Sequence, residues 1–115
     1  MKPEKAIYIG KVDRYGGRVV EKNGRDCLEF SMYLPSQTIM ASGWRERYSV
    51  RVSAWGPDGT LDKRVKKNDT VLVMGIPSNK GRANAVMCFT RDIAIGWEEI
   101  KQMLNRIAGE IDEEK

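Results

Sequence analysis

Histidine is absent from all 115 residues. That removes histidine-based triads, histidine general bases and every metal site that needs an imidazole. Cysteine is scarce: Cys27 and Cys88 stand 61 positions apart with no CxxC pair, which excludes a zinc ribbon or a thioredoxin-like motif. Both lie in apolar or strand-like stretches and read as small buried thiols. No apolar run approaches the roughly 20 residues of a membrane helix. The opening MKPEKAIYIG interleaves charge from the start and offers no secretory h-region, so a cytoplasmic protein with no membrane partner is expected. The chain is also too short for α/β barrels or two-half dinucleotide folds, which need about 200 residues or more. Asp13, Asp58, Asp62, Asp69 and Asp92 are scattered among turns without the convergence that two-metal chemistry requires. No metal, no cofactor and no catalysis are therefore expected.

What is present is charge, distributed unevenly. Residues 1–96 hold 17 Lys and Arg against 10 Asp and Glu, whereas residues 97–115 hold 3 against 6. A basic body with an acidic end points to an anionic partner for the body, the alternative being an ordinary domain with a slightly basic surface.

The pattern along the body is that of strands. Ala6–Val12 is a short β-type run, broken at Tyr15-Gly16-Gly17; Arg18–Val20 pairs briefly before a Lys22-Asn23-Gly24 turn. Cys27–Leu34 alternates, with Leu28, Phe30, Met32 and Leu34 on one face and Glu29, Ser31 and Tyr33 on the other. Tyr48–Trp55 alternates again, sending Val50, Val52 and Ala54 one way and Ser49, Arg51, Ser53 and Trp55 the other. Thr60–Val65 predicts one or two helical turns. Val71–Ile76 is apolar on both faces, as in a central strand, with Gly75 marking a bend or close approach. Gly81 tips a hairpin over Pro77–Asn84, and Ala85–Ile95 is a long last strand of open register with a bulge or bend at Arg91-Asp92. The end changes period: Trp97, Ile100, Leu104, Ile107 and Ile111 recur at three and four residues, with Met103 and Ala108 beside them, as in an amphipathic helix. This stripe is expected to pack on the barrel or on a symmetry mate.

Five strands with a short helix between the third and fourth is the element order of an OB-fold barrel, an all-β architecture; a small SH3-like barrel is the competing reading. The expected organisation is an OB-fold domain over residues 1–96 and a C-terminal amphipathic helix over residues 97–115.

YSVRVSAWG (Tyr48–Gly56) followed by LDKRVKKNDTVLVMG (Leu61–Gly75) resembles the bacterial and phage single-stranded DNA-binding protein family. There a strand ending in aromatic-Gly leads into a helix, a Lys-Lys-Gly-Asp-type turn and a strand closing on Gly. IYIGKV, LEFSMYL and the closing DIAIG fit in order, so the resemblance spans about Ile7 to Gly96. It implies sequence-independent binding and protection of single-stranded DNA, or RNA, in replication, recombination or repair. It also implies a homodimer or homotetramer built through the barrel, in the cytoplasm with the nucleoid. Two departures stand out. The hairpin PSNKGRAN carries Lys80 and Arg82 but no aromatic, and the helix Trp97–Glu114 stands where the family has an acidic tail ending in Ile-Pro-Phe.

Single-strand binders combine cations along the phosphates with flat side chains on which bases stack. Trp55 is the leading stacking candidate, sharing its face with Arg51, and the family match places an aromatic just before Gly56. Tyr33 follows by the same alternation. Trp44, beside Arg45 and Arg47, joins an aromatic to two guanidinium groups. Arg14, Arg18 and Arg25 crowd the first strands, on the side where OB-folds commonly bind nucleic acid. Two rival readings use the same fold: a protein-interaction module of a primosome or replisome, and an accessory OB domain acting with a separate catalytic chain.

Overall fold

Alternation along the middle strands is the feature from which the architecture grows. The computed structural model describes residues 5–34, 48–56, 64–78 and 84–113. Its strands are β1 (Ala6–Val12), β2 (Arg18–Lys22), β3 (Arg25–Leu34), β4 (Tyr48–Trp55), β5 (Thr70–Ser78), β6 (Asn84–Phe89) and β7 (Ile93–Ile95), followed by helix α1 (Gly96–Glu113). Every second residue of β3 and β4 enters the core: Leu28, Phe30 and Met32 meet Val50, Val52 and Ala54, all nearly or fully buried.

β1 and β2 are two arms of one interrupted strand, since both run antiparallel to β3. Between the pairs Val12–Met32 and Arg18–Glu29, five residues (Asp13–Gly17) stand against two. The turn at Asn23-Gly24, with both residues at positive φ (52° and 76°), joins β2 to β3 as a two-residue hairpin. β1 also pairs with β5 from Ala6–Gly75 to Lys11–Thr70. β4 runs parallel to β6, and β6 pairs with β5. The circuit β1-β3-β4-β6-β5-β1 is therefore closed. A first strand shared between the second and fourth, with the third parallel to the last, is OB-fold connectivity.

Closure depends on two glycines. A Cβ on Gly10 would strike the Tyr33 carbonyl oxygen, and one on Gly75 would strike the Met87 carbonyl oxygen and, at 2.9 Å, the Cys88 Cβ.

Val71–Ile76 is a central strand, as its sequence predicts. Val71 and Val73 face the barrel interior, while Leu72 and Met74 face outward under α1. There they join Ile9, Ala94, Ile100, Met103 and Ile107 in a second apolar cluster. Full burial of a side chain such as Ile100 contributes about 1.5–3 kcal/mol. Asp92, 5% exposed, meets Arg106 of α1 at 3.5 Å and Lys5 at 3.8 Å, so an ion-pair network reinforces the docking.

Three expectations need adjustment. The last strand is split by a one-turn 3-10 helix at Thr90–Asp92, with Val86 and Cys88 inward and Met87 and Phe89 outward. The helix stripe is narrower than its periodicity suggests: Ile100, Met103 and Ile107 form the seam, whereas Trp97 and Leu104 are 61% and 40% exposed. The side chain of Ile111 lies outside the described residues. The short helix expected over Thr60–Val65 falls there too as far as residue 63, and Arg64–Lys66 are not helical.

Candidate nucleic-acid interface

The barrel exterior has two unlike sides. Over β1, β5 and β7 it is covered by α1; over β2, β3, β4 and β6 it is open among the described residues. Register fixes which side chains share the open side, because neighbouring strands stand about 4.8 Å apart and residues directly opposite lie on the same face. One row runs Val20, Cys27, Trp55 and Phe89. The next runs Arg18, Glu29, Ser53 and Met87, and a third Ser31, Arg51 and Ala85. Tyr33 and Ser49 lie opposite one another at the far end. Tyr33 is thus six residues along from the Trp55 row, about 20 Å at strand rise.

Of the sequence candidates, Trp55, Arg51, Tyr33, Arg18 and Arg25 come together on this face. Arg51, Arg18 and Arg25 are exposed, Tyr33 is 42% exposed and Trp55 is half-buried. Arg14 stands at its margin. The Asp13 N–H donates to the Ser31 carbonyl, so the bulge borders β3 on the side away from β4. The Arg14 guanidinium lies 4.8 Å from the Tyr15 ring centroid and donates to Tyr15 Oη at 2.6 Å. The Tyr15 N–H donates to Asp13 Oδ1 at 3.0 Å, fixing the loop that presents the pair. Trp44, Arg45, Arg47, Lys80 and Arg82 lie outside the described residues.

Sequence reasoning missed Phe89 and Arg91. Phe89 is 53% exposed and opposite Trp55 in the parallel pair, and the Arg91 guanidinium sits 5.2 Å from its ring centroid. The missing signal was register: an apolar run cannot say which alternate residues point out until its partner strands are known.

The face also carries a charge opposed to the rest. Glu29 Oε2 accepts from Lys22 Nζ at 2.7 Å and from Ser53 Oγ at 3.4 Å, and Arg18 lies 3.7 Å from Oε1. The bond from Lys22 holds the Glu29 carboxyl below the ordinary carboxylate range, against the opposing effect of burial, and the same bond raises Lys22. Cys27, fully buried between Val20 and Trp55, has its thiol pKa raised chiefly by burial. Among the described residues no group of three or more His, Cys, Asp or Glu could hold a metal ion. Among them, too, no helix is long and apolar enough to cross a membrane.

No protein-family model and no curated protein matches the sequence. Among solved structures, the chain is similar to the dimeric N-terminal domain of PriB protein from Thermoanaerobacter tencongensis. The identity is 17% and the TM-score 0.48, over 80% of this chain and 94% of that one.

Proposed function

We propose that the chain binds single-stranded DNA across the open face of its barrel, without sequence preference and without catalysis, in replication, recombination or repair. The observation that carries this reading is the joining of Trp55 and Phe89 on neighbouring strands, with the Arg91 guanidinium against the Phe89 ring and Arg51 and Arg25 exposed on the same face. Flat rings accept any base and guanidinium groups accept any phosphate, which is the chemistry of sequence-tolerant binding. Arg14, Arg18 and Tyr33 extend the path, and Trp44, Arg45, Arg47, Lys80 and Arg82 are proposed to complete it. A place in the bacterial and phage single-stranded DNA-binding family, and a homodimer or homotetramer, belong to the same reading.

Titration with oligo-dT tests it. Tryptophan fluorescence should be quenched, and log affinity should fall linearly with log salt, at a slope of about −0.7 per phosphate contacted and at least about −2 in all. Parallel titration with oligo-U sets DNA against RNA, and light scattering gives the oligomeric state. Absence of quenching together with a flat salt response removes the reading. A second reading, a protein-interaction module, is favoured by the exposed Trp97 and Leu104 on α1. Loss of partner capture on substituting those two residues, with oligo-dT binding absent, would promote it.

A further inference from the structure

Glu29 occupies an odd place for an acid. It sits on the face that carries Arg18, Arg25, Arg51, Trp55 and Phe89, one row from Trp55, and its carboxylate is engaged by Lys22, Arg18 and the Ser53 hydroxyl. The carboxylate itself is largely buried, its side chain 14% exposed, but its partners are open: the Lys22 and Arg18 side chains are 44% and 77% exposed, within reach of any anion that approaches. A carboxylate held by a lysine, an arginine and a hydroxyl has the donor set that a backbone phosphate would take in its place.

We propose that Glu29 is a built-in competitor for phosphate, which holds Lys22 and Arg18 in reserve so that a nucleic-acid strand must displace it to gain them. The inference rests on the single-strand reading and adds a regulating element to the same site. It has two consequences. Cations already neutralised from within release fewer salt ions when a strand binds, so the protein's salt dependence is shallower than its count of exposed basic residues suggests. A strand that displaces Glu29 also returns a negative charge to the face, which weakens binding and speeds release. The surface is thereby set for turnover rather than for maximal affinity.

The experiment compares oligo-dT binding by the full chain and by Glu29→Gln over a range of salt, after thermal melting has shown both to be folded. The variant should bind at least about threefold more tightly at low salt, and its log–log slope should steepen by about 0.7 to 1.4, one or two phosphates. Adding Lys22→Met to Glu29→Gln should take back most of the gain, which a merely structural role for Glu29 does not require. Should Glu29→Gln fail to fold, the ammonium NMR signal of Lys22 in the unaltered protein answers the same question. It should shift on addition of oligo-dT as carboxylate gives way to phosphate. Wild-type binding with an unchanged slope in the variant, or with an unmoved Lys22 signal, overturns the competitor role and leaves the single-strand reading standing. No binding of oligo-dT by either protein at low salt overturns both.

Discussion

Trp55 and Phe89 make the most direct demands at the scale of single residues. Loss of one base–aromatic stack costs about 1–3 kcal/mol, so Trp55→Ala should weaken oligo-dT binding about tenfold, with much of the loss recovered in Trp55→Phe. Phe89→Ala should weaken it comparably with little change in melting temperature, because the residue is 53% exposed and lies outside the core. An affinity unchanged by Phe89→Ala would move the stacking surface away from β6. Tyr33 and Trp55 were legible in the sequence because β3 and β4 are half-buried strands whose polar alternates mark the outer face. Phe89 was not, since its own strand is apolar on both sides. Glu29 also carries a pH signature. Its lowered pKa means that its ionised form contributes stability above the unfolded value of about 4.3, and that this contribution is lost as pH falls through the lower folded value. Lys22, raised, contributes below about pH 10.4, and its contribution is lost as pH rises through the higher folded value. Urea unfolding of Glu29→Gln from pH 7 down to pH 3 should therefore show a flatter acid limb than the unaltered protein. Limbs of equal steepness would mean that the pair adds nothing to folding.

At the scale of elements, α1 is the informative case. Ile100, Met103 and Ile107 recur at the same three- and four-residue spacing that also threads Trp97 and Leu104, so the sequence announced an amphipathic helix without dividing its stripe. The outward row of β5 made the division, since Leu72 and Met74 offer apolar contact over a width that one seam of α1 fills. Ile100→Ala should cost about 2–5 kcal/mol in thermal or denaturant unfolding, while Trp97→Ala should stay within about 0.5 kcal/mol. Asp92→Asn removes the charge that meets both Arg106 and Lys5 and should loosen the helix, seen as faster amide exchange along α1 than in β3. Equal costs for Ile100→Ala and Trp97→Ala would mean that the seam has been misplaced.

For the whole molecule, closure of the barrel is the controlling fact. Gly75→Ala inserts a methyl group between β5 and β6, where the Met87 carbonyl and the Cys88 and Val86 side chains leave no space. Overpacking of this kind costs typically about 1–3 kcal/mol, and here the obstruction is partly backbone, so the melting temperature should fall by several degrees or more. A variant as stable as the parent would show that the circuit opens between these strands. This position was legible beforehand, because a glycine within the apolar run of Val71–Ile76 marks a bend or the close approach of another backbone. Pairing of β1 with β5 could not be read in the same way, since it joins residues 59 (Lys11–Thr70) to 69 (Ala6–Gly75) positions apart.

That pairing also governs how the chain comes into being. While only β1 to β4 have left the ribosome, the sheet has two unsatisfied borders, one along β1 and one along β4, and both need strands not yet made. β5 covers the first border and β6 the second, and β6 is the strand that joins them. A nascent chain of this topology cannot gather its fold progressively from the N-terminus. It must remain open until its last quarter appears and then close in one step of high contact order, in about milliseconds to seconds. In that interval its exposed borders are places where another unfinished copy could pair.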